Sequence, residues 1–588
     1  MANFSLQLQA DNLPDDIIEN LLVEGPWAPV MSRMATAENI LIEGCRGVGK
    51  TMLMRSAARR MQTGFKQGSR TLGVHTTFKR YLATLPPPSK DRNDSQDLAN
   101  FRSWINARIL GAIREVVRDI KGPAFLPQLG VLGTTDWSAV ISVLESTYKG
   151  STDTPQLLAS VGLQPHVVAS LQGYTLVSDL LKEVVSQLGL DLLVIFLDDA
   201  AHALDTRAQG AFFTAIKSLY GPSLAFKISV YPAVTRYGVD FSYGHDAVVV
   251  PVGDTPKVDR IPAFIDLITK RRQVADGDGK LILDAILGNN EWASLLVFCS
   301  NANPRGLLKL IAQIQTQLGN RPANDLRFED IRLAINVVMD KHLDNMVPGV
   351  IKDLDARLLK ASEYLLDELR QKISVTPGPY EAGKPRGYLA ITNSMQVAYL
   401  CQAAIKLLVA ANVIVPEGPA RLSKRETGTL YLLHPGFMFR DNVIGGARSG
   451  TLLARNWLEF FSGLSSRIHA EIAKNAELWN EIVVEANTEP SGKCENGHPL
   501  FNAQQNCDVC GAPAVVMSPV LLLLDKDLSV LDLSDTLKER LQAHGFDTVR
   551  KLFEASNEEI DAVEYVGEVR TQMIRNAVSA AVDEFVAG

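Results

Sequence analysis

The stretch NILIEGCRGVGKTMLMR, Asn39 to Arg55, decides the fold. An apolar run, a glycine-rich turn and a Lys-Thr pair stand in a row, with an amphipathic run behind them. The spacing Gly44-x4-Gly49-Lys50-Thr51 fits the phosphate-cradling pattern G-x4-G-K-[ST]. NILIE has the length and apolarity of a buried strand, as central parallel strands require. Gly44, Gly47 and Gly49 let the backbone curl around Val48, so that its N–H groups point inward at phosphate oxygens. A helix starting near Lys50 adds its positive N-terminal end. Lys50 is placed to reach the β- and γ-phosphates, and Thr51 to ligate Mg2+. The expected ligands are therefore ATP and Mg2+, held on a parallel α/β sheet.

A partner motif must hold the metal. DLLVIFLDDAAHAL, Asp191 to Leu204, supplies it. Leu192 to Leu197 reads as a second buried strand that delivers Asp198 and Asp199 to its carboxyl end, where ligands bind in open α/β sheets. Asp198 is placed for Mg2+, and Asp199 where a base polarises the attacking water. The short reach of an Asp, where many fast ATPases carry Glu, points to slow turnover.

Two later stretches extend the site. LAFKISVYPAVTRYG (Leu224 to Gly238) reads as a strand followed by a turn, and SNANPRGLLKLI (Ser300 to Ile311) puts Pro304 and Arg305 at a helix start. In this order the motifs resemble AAA+ ATPases, more narrowly their origin-recognition and STAND-like branch. That branch closes its core with a G-N-P-R-x-L sensor-2 helix in a helical lid. Here the first glycine is replaced: the run is Asn301-Ala302-Asn303-Pro304-Arg305. The resemblance spans roughly residues 15–340. It implies that Arg305 touches the γ-phosphate and joins Lys50 and Asp199 in catalysis, and that Ser229 lies on the sensor-1 strand. It also implies that Arg236 is a sensor or a finger offered to a neighbour in an ATP-dependent homo-oligomer. A surface salt-bridge arginine is an equal reading of Arg236.

Some 140 residues separate the two motifs, more than one crossover needs. NFRSWINARILGAIREVVRDI has helical periodicity, with Phe101, Ile105, Ile109 and Ile113 on one face. The interval to about residue 190 is expected to be a mostly helical insertion within a core spanning 1–275. A helical lid is expected over 276–345.

Behind the lid, a helix from about Asn393 to Ala411, a strand at Val413 to Val415, a basic loop and a strand from Thr429 to Leu433 form the tail of a winged helix, placed at 346–445. Arg421, Lys424 and Arg425 in that loop suit a DNA backbone, or the module binds protein. A helical connector is expected over 446–488. Then KCENGHPLFNAQQNCDVCGAP offers Cys494, His498, Cys507 and Cys510, four soft ligands on two turns and a complete set for structural Zn2+. This zinc ribbon is placed at 489–517. From 525 to 588 a small all-α domain is expected. There Ser534, Thr548 and Ser556 cap helices, and VEYVGEVRTQMI resembles the hairpin of helix-hairpin-helix domains. In that family the second glycine, here Gly567, cradles a DNA phosphate, and Arg570 and Arg575 would assist. Tyr565 replaces the first glycine and Thr571 the alanine.

Composition bounds the reading. At 588 residues the chain is expected to form several domains, and its net charge of -7 does not advertise nucleic acid. MANFSLQLQADNLPDD shows no secretion signal, and LLVIFL and PVLLLL are too short to span a bilayer, so a cytoplasmic protein without membrane partners is expected. In that compartment six cysteines read as thiols or metal ligands rather than disulfides. Nearly half the chain is spent on small recognition modules. The expected function is therefore an ATP-dependent switch engaging DNA or a DNA-linked complex, in DNA transactions or defence against mobile elements. The alternative is a STAND-like signalling scaffold whose C-terminal modules bind only proteins.

Overall fold

The computed structural model describes residues 10, 13–78, 94–122, 137–149, 175–199, 206–232, 235–253, 260–319 and 321–346. Beyond them it describes 361–367, 369–370, 388–392, 399–421, 427–441, 443, 456–458, 469–471, 492–494, 499–500, 514–515, 526–531, 533–567, 570–571, 573–575 and 577–578. The chain divides into two compact units. One comprises Met1–Glu489 with Asp508–Ala512, the other Pro490–Cys507 with Pro513–Gly588.

In the first unit five strands form one sheet: β1 (Ile40–Glu43), β2 (Thr71–Thr77), β3 (Leu192–Asp198), β4 (Leu224–Val230) and β5 (Val248–Pro251). Their order is β2-β3-β4-β1-β5, and every neighbouring pair is parallel. The unbroken apolar runs of β3 and β4 are buried at every residue because helices cover both faces. Val194 and Phe196 join a core with Leu53, Met54 and Ala57 of α3 (Lys50–Lys66) and with Met31 and Met34 of α2 (Ala28–Met34), which follows α1 (Asp15–Leu21). Leu193, Ile195 and Leu197 face the opposite core. That core is closed by α4 (Asp94–Lys121), α5 (Trp137–Lys149), α6 (Thr175–Gln187) and α7 (Thr206–Lys217). Phe101, Ile105, Ile109 and Ile113 of α4 are all buried there, each worth about 1.5–3 kcal/mol of apolar burial. The described part of the insertion is thus helical, as its periodicity predicts.

Five helices follow: α8 (Ile261–Gln273), α9 (Gly277–Leu287), α10 (Asn290–Cys299), α11 (Pro304–Leu318) and α12 (Phe328–Met346). Their core continues without a break into β6 (Tyr388–Thr392), α13 (Tyr399–Ala410), β7 (Ile414–Arg421), β8 (Thr427–Leu433) and α14 (Pro435–Arg440). A Cβ on Gly436 of α14 would meet the Met339 sulfur of α12 and come within 3.0 Å of the Cys299 carbonyl. The five helices and the module behind them therefore share one continuous core. Asn412, at φ 58°, turns the chain from α13 into β7, and the Val413 N–H returns to the Leu408 carbonyl at 2.9 Å.

This module departs from expectation in three places. The first strand runs to Arg421 rather than Val415, so Arg421 ends a strand instead of sitting in a loop. β6 was not foreseen; it pairs antiparallel with β8 and, with a further strand β9 (His469–Glu471), gives the order β7-β8-β6-β9. β9 lies inside the span expected to be a helical connector. It adds parallel to β6, whose outer backbone edge would otherwise lack partners. Lys424 and Arg425 lie outside the described residues.

In the second unit β10 (Gly492–Cys494) pairs antiparallel with β11 (Pro499–Leu500) and β12 (Ala514–Val515). Further on are α15 (Asp535–Ala543), α16 (Val549–Glu554) and α17 (Asn557–Asp561). Gly545, at φ 94°, ends α15, and the Phe546 N–H returns to the Leu541 carbonyl at 2.9 Å. Ser556 and Glu559 form a reciprocal capping box at 3.2 and 2.6 Å, whereas Ser534 and Thr548 stand at N-caps without side-chain bonds. Leu541, Val549, Leu552, Ile560 and Ile574 close a small core of their own. No single described helix is long and apolar enough to cross a membrane.

Candidate active site

Sheet order assembles the site. β4 lies between β1 and β3. The carboxyl ends of these three strands therefore present, side by side, the glycine loop, the residue after β4 and the acidic pair.

Gly47 and Gly49 take φ of 92° and 99°, the left-handed region in which a side chain is strained. Val48 is buried between them, against Gly44 and Gly253. Lys50 opens α3 and is itself buried. Its ammonium donates to the Gly44 carbonyl and, at 3.2 Å, to that of Cys45, and lies 4.0 Å from the centre of the Tyr231 ring. Burial pushes this lysine down to about 8. The charge is thus held by carbonyls and a ring face, contacts that a phosphate can outbid.

Asp198 is 1% exposed. Burial alone would raise its carboxyl, but the facing His75 and the hydroxyls of Thr51 and Ser229 outweigh it and hold it at about 2. Its Oδ2 is buried without a hydrogen-bond partner, and His75 Nε2 stands 3.5 Å away. A charged carboxylate with an unspent oxygen beside a threonine hydroxyl is a hard donor set, and it fits Mg2+. Thr51 and Asp198 would hold that ion, which when bound neutralises phosphate charge.

Asp199 adopts φ 57°, a conformation Asp tolerates better than most residues. Its N–H donates to Asp198 Oδ1 at 3.0 Å and to Ser229 Oγ at 2.8 Å. Its carboxylate accepts the Tyr231 hydroxyl at 3.0 Å. Ser229 is fully buried, so its contact is with the acidic pair rather than with the cleft.

The start of α11 meets the loop through bonds to two loop carbonyls, one from a backbone N–H and one from a side-chain amide. The Arg305 N–H donates to the Gly47 carbonyl at 3.3 Å, and Asn303 Nδ2 donates to the Arg46 carbonyl at 2.9 Å. Asn303 also caps α11, accepting the Gly306 N–H at 3.1 Å. A Cβ on Gly47 would come within 2.6 Å of Asn303 Oδ1 and 2.8 Å of Arg305 Cβ, so this glycine is required by close approach as well as by φ. Asn301 and Ala302, at φ 57° and 47°, make the turn in which the family pattern has glycine. Asn301 Nδ2 then donates to Asn412 Oδ1 at the α13–β7 corner, 2.8 Å away.

The resulting cleft is open to solvent and spans about 700 Å3, counting the solvent at its mouth. Arg46, Lys50, Arg271 and Arg305 line it against the single carboxylate of Asp199, with apolar Ala10, Met52 and Leu308 also on its wall. Four cations to one anion suit a polyphosphate joined to an apolar group. Arg236 does not line the cleft; its N–H donates to Gln209 Oε1 at 2.8 Å.

Three of these residues, His75, Tyr231 and Arg271, escaped sequence reasoning, as did the clamping role of Asn303. Tyr231 was within reach. It directly follows β4, and the strand-end rule that picked out Asp198 and Asp199 applies equally to it. Arg271 is buried near the end of α8, where burial lowers it to about 10. Only the three-dimensional closure of the lid brings it to the cleft.

The C-terminal candidates are more dispersed. Of the four zinc-ligand candidates, only Cys494 belongs to the described residues; His498, Cys507 and Cys510 lie outside them. Among the described residues no group of three or more His, Cys, Asp or Glu is gathered for a metal. Tyr565 is left-handed, at φ 63°, and the Gly567 carbonyl accepts the Thr571 N–H at 3.0 Å. The Arg570 guanidinium donates to the Tyr565 carbonyl. That of Arg575 caps the end of α16, donating to the Leu552 carbonyl at 3.0 Å, to the Ala555 carbonyl, and to Asn557 Oδ1 at 2.9 Å.

No family model matches the chain, and no curated protein matches it. Among solved structures, the ORC1 protein of Aeropyrum pernix in complex with DNA is similar at 12% identity, covering 75% of this chain and 95% of that one, with a TM-score of 0.30. A Walker-type ATPase of Pyrococcus abyssi is similar at 13% identity, with 75% and 99% coverage and a TM-score of 0.33. AMPPCP-bound DnaA of Aquifex aeolicus follows at 16% identity, with 57% and 84% coverage and a TM-score of 0.22. With identities and scores this low, the functional reading rests on the residues above alone.

Proposed function

We propose that this protein is an ATP-binding, slowly hydrolysing switch of the AAA+ type that engages DNA or a DNA-linked complex. One observation carries the switch reading. The turn at residues 301–305 bonds the phosphate loop through Asn303 and Arg305 and the α13–β7 corner through Asn301. Whatever moves the loop moves that turn, and with it the base of the β7–β8 ribbon. Lys50, Arg305 and Arg271 supply cations to the phosphates, Thr51 and Asp198 hold Mg2+, and Asp199 polarises water. Helix α13 followed by the antiparallel β7–β8 pair supports a winged-helix reading of that module. Oligomer formation on ATP binding belongs to the same proposal, with Arg236 as the residue offered to a neighbour.

A salt titration of duplex DNA binding, with and without ATP, tests this. ATP is expected to raise affinity. Lys424→Ala with Arg425→Ala is expected to weaken binding across sequences and flatten the log–log salt slope by up to about two units, because two counterion-releasing contacts are lost. Truncation before Asp525 is expected to cost less, since residues 525–588 hold 14 Asp and Glu against seven Lys and Arg. That acidity, together with the capping role of Arg575, favours a second reading in which the C-terminal domain docks protein. Absence of DNA binding at every salt concentration would make the protein scaffold the better account.

The spacing Cys494-x3-His498-x8-Cys507-x2-Cys510 supports a structural zinc ribbon. Metal analysis of protein purified without chelator is expected to find about one Zn2+ per chain. Cys507→Ser is expected to lose it while ATP binding persists. A metal-free wild type would remove the ribbon from the account.

A further inference from the structure

Tyr231 is the residue that touches both halves of the site. Its ring lies 4.0 Å from the Lys50 ammonium, and its hydroxyl donates to Asp199 Oδ1 at 3.0 Å. In that bond the phenol is the donor and the carboxylate oxygen the acceptor. The backbone of Tyr231 is held as well. Its N–H donates to Thr235 Oγ1 at 2.9 Å, and the Thr235 hydroxyl donates back to its carbonyl at 3.0 Å. The position follows from topology, since β4 sits between β1 and β3 and the residue after it stands between the lysine and the acidic pair.

We propose that Tyr231 is a brake on hydrolysis: in the state described here its phenol occupies the Asp199 oxygen that would otherwise polarise water. This rests on the ATPase reading of the site. Tyr231 acts through Asp199 and Lys50, so it is a positioning residue rather than a catalytic one. Phosphate binding draws the Lys50 ammonium away from the ring face. The ring loses that contact, and the phenol–carboxylate bond is left to compete with water. Release of the base thereby becomes conditional on the ligand, as a switch requires.

Tyr231→Phe keeps the ring over Lys50 and deletes only the hydroxyl. It is expected to raise kcat about tenfold, the worth of one hydrogen bond to a charged group, with ATP affinity and melting temperature changed less than twofold and a few degrees respectively. In an Asp199→Asn background the same substitution is expected to change the residual rate by less than twofold, because the phenol then has no base to restrain. A purely structural tyrosine would instead lower stability and affect both backgrounds alike. A Tyr231→Phe protein that binds ATP and turns over at or below the wild-type rate overturns the brake and leaves the ATPase reading standing. If wild type and Tyr231→Phe both fail to bind ATP, the ATPase reading falls and the brake falls with it.

Discussion

Lys50→Ala is expected to abolish ATP binding at millimolar nucleotide while leaving the protein folded. The ammonium is buried and held by the Gly44 and Cys45 carbonyls and the Tyr231 ring, none of which carries a compensating full charge. Burial outweighs the attraction of the nearby Asp198 and Asp199 carboxylates, so removing the ammonium relieves a desolvated cation and is expected to cost the free protein little stability. The bound state loses a charged contact to phosphate in a desolvated cleft. Truncating such a partner costs about 2–5 kcal/mol, or roughly thirtyfold to several thousandfold in affinity. Arg46, Arg271 and Arg305 remain, so nonspecific attraction of anions is expected to persist. A nucleotide titration paired with a thermal melt separates this loss from unfolding.

Asp199→Asn is expected to do the reverse, keeping ATP binding and lowering hydrolysis by a factor of about 10^2–10^4, the usual worth of a general base. The substitution suits the fold. Asn tolerates the left-handed backbone at φ 57°, and its amide oxygen still accepts the Tyr231 hydroxyl. The N–H that anchors this residue to Asp198 and Ser229 is untouched. The loss is therefore expected in phosphate release, with affinity changed by less than about threefold. Asp199→Ala would be a poorer test, because alanine pays for the left-handed conformation and confounds chemistry with strain.

What could be read beforehand was what is written locally. The loop from Gly44 to Thr51 carries its glycines, lysine and threonine within eight residues, and β3 is an apolar run ending in two aspartates. Each pattern states a strand, a turn and a chemistry without help from the rest of the chain. His75 and Tyr231 were hidden for the opposite reason. Each is one polar residue on or just after a strand, and its meaning comes from which strand lies beside it. Arg271 and Asn303 depend on the lid reaching the loop, a contact made across more than 200 residues of chain. β6 was missed because its pairing with β8 is long-range, and β9 because three residues are too few to show a period. The Asn301–Asn412 bond, on which the switch reading leans, has no sequence signature at all.

The most direct test of the central claim is steady-state phosphate release by the full chain at saturating ATP and Mg2+, with Lys50→Ala and Asp199→Asn measured alongside. The account predicts slow release by wild type that is lost in both variants, with only Asp199→Asn retaining bound nucleotide. Release that is absent from wild type, or equal in all three proteins, would contradict it.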